Sequence, residues 1–313
     1  MSKLLVPFLL CAALLCGCGK SEKKIKIGIS VPAATHGWTG GVVWHAEQAA
    51  KRLEAANKDV AVTVATSGSG AAQVNAIEQL MMQNPDALVI LSQEPEPLDN
   101  VCKLAKQRGI YLVVVSNPLP SKVEDVFVNG DNTSLGEAAA YAMGNALKGK
   151  GDILVMEGVL CPINTERVNG FKKILKANFP QIRILDSQPT DWNTEKGLKL
   201  MEKYLQKYSK VDGVWAGDDD VLVGALKAYK ESKRKDVKVF VGGGGAKAIV
   251  KLVKDKDPLV KATVTYPPRM IEIGADLALK GLRKGNVPRE VVVKSEVVTS
   301  ANADKHYFPD SLY

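Results

Sequence analysis

A regular alternation of two kinds of segment constrains the fold more than any other feature of the sequence. Short runs rich in Val and Ile alternate with longer stretches in which apolar residues recur every three or four positions. The short runs predict buried β-strands, and the longer stretches predict amphipathic α-helices. Because strands that alternate with helices form a mostly parallel sheet covered on both faces, the sequence predicts an α/β fold.

The alternation occurs in two similar halves, which are too large together for one sheet. In the first half the predicted strands are Ile25–Val31, Val60–Thr66, Ala87–Leu91, Tyr111–Ser116 and Val126–Asn129, and the predicted helices are Thr39–Asn57, Ala71–Asn84 and Leu98–Gln107. The second half opens with a helix that ends near Lys148, followed by strands at Ile153–Glu157, Ile182–Gln188, Gly213–Ala216, Val237–Val241 and Lys261–Tyr266, helices at Thr165–Asn178, Thr194–Lys207, Asp220–Glu231 and Met270–Arg283, and an extended run at Val291–Val298. We therefore predict two lobes, with the late strand–helix pair accommodated by a chain that crosses back to the first lobe.

The N-terminus predicts secretion. One Lys precedes an apolar run that is too short to span a bilayer, and small residues follow it, which is typical of a signal peptide, here residues 1–17. The end of this run, Leu15-Cys16-Gly17-Cys18, resembles a bacterial lipobox, which implies cleavage before Cys18 and lipidation of its thiol. Residues 18–24 would then be a tether, and the protein would be periplasmic or at the cell surface, held to the membrane only by lipid. The alternative is an ordinary cleaved signal without a lipid.

Charge and cysteine content argue against several functions. The net charge is +8, but the Lys residues are scattered and form no basic stripe with a recognition motif, so we predict no nucleic-acid partner. After the signal and Cys18, only Cys102 and Cys161 remain, which form neither a disulfide framework nor a metal cluster. Cys102 lies in a predicted helix, where a buried thiol is expected. We predict no metal and no cofactor.

Polar and aromatic residues follow the predicted strands, where ligands bind in open α/β sheets. These positions include His36, Trp38 and Thr39 after the first strand, Ser116 and Asn117 after the fourth, and Arg167, Trp192, Asp218, Gly244 and Tyr266 in the second half. No nucleophile elbow with a Ser-His-Asp order is present, so we do not expect an enzyme. The segment Gly242–Gly245 lacks the third glycine of a dinucleotide motif, because Lys247 stands there, and it does not end in the Gly-Lys-Ser/Thr of a P-loop.

Each of these features has a purely structural alternative. Trp38 and Trp192 could be core residues, and His36 could satisfy a backbone carbonyl. At least one carboxylate of Asp218-Asp219-Asp220 is expected to cap a helix. The glycine segment indicates a loop whose backbone comes close to another group.

Several segments, taken in order, resemble the ribose-binding-protein branch of periplasmic solute-binding proteins. They are VNGDNTSLGEAAA, TERVNGFKKIL, DWNTEKGL, WAGDDDVLVGALKA and ATVTYPPRMIEIGADLALKGL, and the similarity extends over about Ile25–Val298. The resemblance implies the type I periplasmic binding fold, in which two doubly wound parallel-sheet lobes are joined by a three-segment hinge. The implied N-terminal lobe is 25–130 plus 267–292, and the implied C-terminal lobe is 131–266 plus 293–313.

The same resemblance implies roles for the residues after the strands. Trp38 and Trp192 match aromatic residues that stack on a sugar from opposite lobes, and Arg167 matches an arginine that binds its hydroxyl groups. His36, Asp218 and Tyr266 match polar contacts, and Thr39, Ser116, Asn117 and Gly244 complete the predicted site. The family often has Asp-Arg where this chain has Ser116-Asn117, and an Asp near Gly244, so we expect a ligand other than ribose, such as a hexose, polyol, cyclitol or furanose-like compound.

The implied function is that of a monomeric, lipid-anchored receptor that delivers a sugar or polyol to an ABC permease after hinge closure. The alternative is a sensory receptor that presents a sugar-like signal to a chemoreceptor or a sensor kinase. The ligand core of a transcription repressor has the same fold, but it would begin with a helix-turn-helix domain where this chain has a signal peptide.

Overall fold

The computed structural model describes residues 24–34 and 36–313. The predicted signal peptide and Cys18 lie outside the described residues.

The first lobe is built on a six-stranded parallel sheet. In spatial order its strands are β11 (Glu290–Val293), β5 (Val126–Gly130), β4 (Tyr111–Val115), β3 (Ala87–Leu91), β1 (Ile25–Pro32) and β2 (Val60–Ser67), and its helices are α1 (Gly37–Ala56), α2 (Gly70–Met82), α3 (Pro95–Gln107) and α9 (Met270–Leu282). The sequence of β3 is continuously apolar because both sides of the strand are buried. Leu88 and Ile90 join the core beneath α2 and α3, whereas Val89 and Leu91 join the core beneath α1 and α9. Both faces of the sheet are therefore buried.

The second lobe repeats this arrangement around another six-stranded sheet. In spatial order its strands are β12 (Val297–Val298), β10 (Val260–Val264), β9 (Val239–Val241), β8 (Gly213–Ala216), β6 (Lys150–Glu157) and β7 (Gln181–Pro189), and its helices are α4 (Asn132–Ala146), α5 (Pro162–Asn178), α6 (Thr194–Lys207), α7 (Asp219–Glu231) and α8 (Lys247–Lys254). All strand pairs are parallel except β12 with β10. Helices α4 and α5 pack together, as do α6 and α7.

The chain passes between the lobes at three places that lie close together. These are Gly130–Asn132, the segment from Val264 to Met270, and the segment from Val293 to Val297. The Asp131 N–H donates to the carbonyl of Val293 at 3.2 Å, and the Ser295 hydroxyl donates to the carbonyl of Asp131 at 3.2 Å. The predicted fold class, two doubly wound lobes joined by three segments, is confirmed.

The structure differs from the predicted elements in a few places. The extended run Val291–Val298 forms two strands, β11 and β12, which lie in different lobes, and β11 ends one residue past the predicted lobe boundary at 292. Helix α8 was not predicted. Helices α3 and α5 begin three residues earlier than predicted, because each has a proline in its first turn, where the missing N–H costs no hydrogen bond.

Candidate ligand-binding cleft

The carboxyl ends of the two sheets face each other across a cavity of about 230 Å³. Every residue predicted for the site lines this cavity: His36, Trp38, Thr39, Ser116, Asn117, Arg167, Trp192, Asp218, Gly244 and Tyr266. Pro32, Leu91, Ser92, Gln93 and Ile163 complete the lining. The structure thus brings together residues from both lobes, while their role in binding stays a prediction.

Trp38 lies on the first-lobe wall and is linked to Tyr266 between the lobes. Its indole N–H donates to the Tyr266 carbonyl at 2.8 Å, and the two rings are tilted with centroids 5.7 Å apart. The Tyr266 hydroxyl is hydrogen-bonded to the Ser116 hydroxyl at 2.9 Å. Asn117 donates from its side-chain amide to the Ser92 carbonyl at 2.7 Å. Trp38 is half-buried and borders the cavity, so its indole is not enclosed in the core.

Thr39 and His36 shape the start of α1. The His36 N–H donates to the Thr39 hydroxyl oxygen at 3.2 Å, and that hydroxyl donates to the His36 carbonyl at 3.0 Å. Burial lowers the pKa of the His36 imidazole, and the nearby Asp220 carboxylate partly opposes this effect. His36 is therefore the N-cap residue of α1 as well as a residue at the cavity.

Arg167 is a buried cation on the second-lobe wall. Its Nε donates to Asn132 Oδ1 at 3.0 Å, and an Nη donates to the Gly217 carbonyl at 2.9 Å. The guanidinium carbon lies 4.7 Å from the centroid of the Tyr266 ring and 5.9 Å from that of Trp192. Within residues 24–34 and 36–313, no carboxylate lies at ion-pair distance from this guanidinium. Its direct partners are neutral oxygens and π faces, which position the group at the cavity.

Trp192 lines the cavity from the second lobe, and it lies in a strained turn. Asp191 and Trp192 have φ values of 52° and 53°, which are uncommon for residues other than glycine. The indole covers Gly158, where any side chain would overlap the ring, and the indole N–H is buried without a hydrogen-bond partner among the described residues. Strained backbone and an unpaired buried donor are typical of ligand-binding sites.

The three aspartates that follow β8 have separate roles. Asp218 caps α7 by accepting from the Asp220 N–H at 2.8 Å, which confirms the predicted capping. Burial raises the pKa of Asp218 to about 8, and the neighbouring carboxylates of Asp220 and Asp219 add to this rise. At neutral pH the Asp218 carboxyl is therefore mostly protonated and can donate a hydrogen bond.

Asp219 holds the glycine segment, and Asp220 contacts the other lobe. Asp219 accepts from the N–H groups of Gly245 and Ala246 at 2.9 and 2.7 Å, and its pKa rises to about 6 through burial. Asp220 accepts from the Gly37 N–H at the start of α1, at 3.1 Å. Neither role was predicted from the sequence.

The glycine segment comes close to other groups, as predicted. Gly244 has φ of +123° and lines the cavity, with its N–H donating to the Val264 carbonyl at 2.6 Å. A side chain at Gly244 would overlap the hydroxyl of Tyr313, the last residue of the chain. Sequence reasoning missed Tyr313, since it follows no strand, and Asn132, which lies in the quoted segment VNGDNTSLG.

No group of three or more His, Cys, Asp or Glu side chains is placed to hold a metal ion within the described ranges. None of the helices in that part of the chain has both the length and the apolar character to cross a bilayer.

Comparison with known proteins places these observations in context. The model of a family described as periplasmic binding protein domain matches residues 27–286. The chain is 28% identical over 236 residues to the xylitol-binding protein of Mycolicibacterium smegmatis. This match covers 74% of this chain and 66% of that protein, which is just under two thirds of its length. It is 27% identical over 252 residues to the ribose import binding protein of Bacillus subtilis, which covers 80% and 79% of the two chains.

Among solved structures, the fold is similar to that of an ABC transporter periplasmic solute-binding protein from Actinobacillus succinogenes with bound D-allose. The TM-score is 0.79 at 22% identity, and the match covers 90% of this chain and 100% of the other. This likeness supports the fold assignment.

Proposed function

The chain belongs to the periplasmic binding protein domain family, and on that premise we propose that it binds a sugar or sugar-like polyol between its lobes. The family is one of solute-binding proteins and not of enzymes. The observation that carries the proposal is the cavity itself, in which Trp38 and Trp192 line walls from different lobes, the charged Arg167 offers charge-assisted hydrogen bonds and the protonated Asp218 offers a neutral donor. The relatives named for xylitol and ribose support the same ligand class.

The chemistry of the lining suits a hydroxyl-rich ring or chain. The faces of a sugar present C–H groups, which indole rings cover with large apolar area. Its edge presents hydroxyl groups, which can accept from Arg167 and from the protonated Asp218 and donate to backbone carbonyls. Because buried polar groups left unpaired are costly, a solute with the wrong hydroxyl pattern would be rejected.

We further propose that the protein serves an ABC importer as a lipid-anchored periplasmic receptor, with Cys18 as the lipidated residue. Solute bound to one lobe would favour the closed form through contacts with the other lobe, and the permease would recognise that form. A sensory receptor would use the same cleft with a different docking partner. Solute uptake into vesicles that contain the cognate permease separates the two roles.

The test of binding begins with native mass spectrometry of the purified protein, to detect a co-purified solute. A thermal-shift panel follows with D-ribose, D-allose, D-galactose, xylitol and myo-inositol, and with amino acids as controls. A solute at about 100 times its Kd stabilises by about 2.7 kcal/mol, which raises Tm by about 4 °C in a protein of this size. Stabilisation by amino acids and by none of the sugars or polyols would contradict the proposal.

A further inference from the structure

The last residues of the chain, Phe308–Tyr313, form a segment that we call the C-terminal tail. It is fastened to the second lobe by Lys247 at the start of α8, whose ammonium group donates to the carbonyls of Pro309, at 3.2 Å, and Ser311. The short 3-10 helix that precedes the tail, Ala303–Lys305, packs against α8 as well. The tail therefore starts as part of the second lobe.

From there the tail reaches across to the first lobe. The Phe308 ring meets the His45 imidazole of α1 edge to face, with centroids 5.7 Å apart. Leu312 and Tyr313 then lie on the glycines of the segment Gly37-Trp38-Thr39-Gly40-Gly41. A Cβ atom on Gly40 would lie 3.3 Å from Leu312 Cβ, and one on Gly41 would lie 2.8 Å from Tyr313 Cβ. The glycines thus leave a shallow groove on α1 that the tail fills.

Tyr313 is wedged between the lobes at the edge of the cleft. Only 5% of the residue is exposed, and its hydroxyl has no hydrogen-bond partner among the described residues. On one side it touches Gly41 of α1, and on the other its hydroxyl occupies the space beside Gly244, which lines the cavity. The same hydroxyl lies within the electrostatic reach of Asp218 and Arg167. Its position is therefore tied both to lobe closure and to the cavity wall.

We propose that the C-terminal tail is a latch for the closed form, and that Tyr313 is a positioning residue that holds the Gly244 segment against the cavity. When the lobes separate, the tail stays with the second lobe through Lys247 and leaves the glycine groove of α1. The latch proposal rests on the proposed function in one respect, namely that solute binding favours closure of the lobes. It gives the short glycine-rich start of α1 a second role besides bordering the cavity.

The first test traps the latched form without any solute. The pair Gly40→Cys and Leu312→Cys is introduced into the full chain, since the Cβ separation of 3.3 Å is close to the 3.5–4.5 Å of disulfides. Under mild oxidant we expect a 40–312 disulfide by peptide mass spectrometry and a smaller radius of gyration, both reversed by reduction. Each single variant controls for reaction with Cys161, which is partly exposed. A double variant that folds but remains unlinked overturns the latch.

The second test measures binding of xylitol and myo-inositol by calorimetry. For a solute that binds to wild type, Tyr313→Ala should lower the affinity about tenfold. Most of the change should be faster dissociation, because the side chain that fills the space between the lobes is lost. Tyr313→Phe should lose less affinity than Tyr313→Ala, because it keeps the ring and Cβ against Gly37 and Gly41 and removes only the hydroxyl beside Gly244. Tyr141→Ala, which changes an exposed tyrosine on α4, is the matched control.

The two tests separate the two proposals. If neither solute binds to wild type, the choice of ligand class is at fault, and the disulfide trap alone decides on the latch. If the disulfide forms but Tyr313→Ala leaves the affinity for a bound solute unchanged, the tail lies across the lobes without latching them, and the inference is wrong.

Discussion

Trp192 combines a backbone conformation that is costly with an indole N–H that has no partner among the residues that the structure describes. Neither feature helps the chain to fold, so both are explained best by a ligand that meets the ring and the N–H. Arg167 is different, because its hydrogen bonds to Asn132 and Gly217 join three segments of the second lobe. The sequence identified both residues through their positions after strands and through the resemblance, but it gave no indication that Arg167 also has a structural role.

The first prediction is that Trp192→Ala lowers affinity for the solute found in the panel by about 100-fold, as expected for an aromatic residue at the centre of a binding site. The variant should stay folded, with Tm within a few degrees of wild type, because the indole N–H makes no hydrogen bond within residues 24–34 and 36–313. Calorimetry and circular dichroism measure the two effects. Trp44→Ala, a half-buried tryptophan of α1 away from the cavity, should keep its affinity. Equal affinity in wild type and Trp192→Ala would remove Trp192 from the site.

A second prediction concerns Asp218, whose pKa is raised from 3.8 to about 8, mainly by burial. Between these values the unfolded chain ionises this carboxyl first, so the native state binds more protons and the free energy of unfolding falls as pH rises. The loss reaches at most about 1.4 kcal/mol per pH unit. Asp218→Asn keeps an oxygen for the Asp220 N–H, at 2.8 Å in wild type, but cannot ionise.

Urea unfolding at a pH of about 5 and of about 7.5 tests this prediction. Wild type should lose more stability over that interval than Asp218→Asn does. The contribution of Asp219, whose pKa is about 6, is common to both proteins and cancels in the comparison. Parallel pH profiles for the two proteins would show that Asp218 titrates normally.

At the scale of elements, the N-terminus of α1 is where the lobes meet. The Gly37 N–H at this end has no partner within its own helix and donates instead to Asp220, in the first turn of α7. The carboxylate also lies at the positive end of the α1 dipole. This contact joins the lobes and should exist only in the closed form.

The third prediction follows from that contact. Asp220→Ala should weaken solute binding by about tenfold, the effect of losing one charge-assisted hydrogen bond from the closed form. Most of the change should be in the dissociation rate measured by stopped flow. Asp255→Ala, which removes an exposed carboxylate paired with Lys251 on α8, provides the control. A dissociation rate unaffected by Asp220→Ala would show that the contact does not hold the lobes together.

Local sequence patterns predicted most elements, and the misses have physical causes. Helix α8 has apolar residues at helical spacing, but it is short and follows the glycine segment, so no helix was predicted there. The run Val291–Val298 contains the polar sequence Lys294-Ser295-Glu296, which is where the chain changes lobes. That interruption could have been recognised as a break between two strands.

At the scale of the whole molecule, the cleft could be predicted because parallel strands end at one edge of a sheet, so residues after strands gather there. The contacts between the lobes could not be predicted from the sequence. The Asp220–Gly37 hydrogen bond and the burial of Tyr313 depend on how two separately folded sheets are oriented, which no short segment encodes. For the same reason, the sequence did not predict the close contacts that Gly40 and Gly41 make with Leu312 and Tyr313.

The last prediction concerns the motion that these contacts require. Because the passages between the lobes lie close together, we expect the lobes to rotate about them without breaking either sheet. Each contact across the cleft, at Trp38, Asp220 and Tyr313, would favour the closed form, and a solute that bridges the walls would add to it. A change from 1% to 99% closed needs about a 10⁴-fold preference of the solute for the closed form.

Small-angle X-ray scattering should therefore show a smaller radius of gyration when a binding solute is added at saturation. Trp192→Ala at the same solute concentration should keep the radius of gyration of the free protein, because it lacks one of the two indole rings proposed to contact the solute. A radius that does not change in wild type, while calorimetry shows full occupancy, would mean that the lobes bind solute without moving. Recognition by a permease would then have to depend on a surface that is the same in both states, and the mechanism of closure would be wrong even though the ligand class was right.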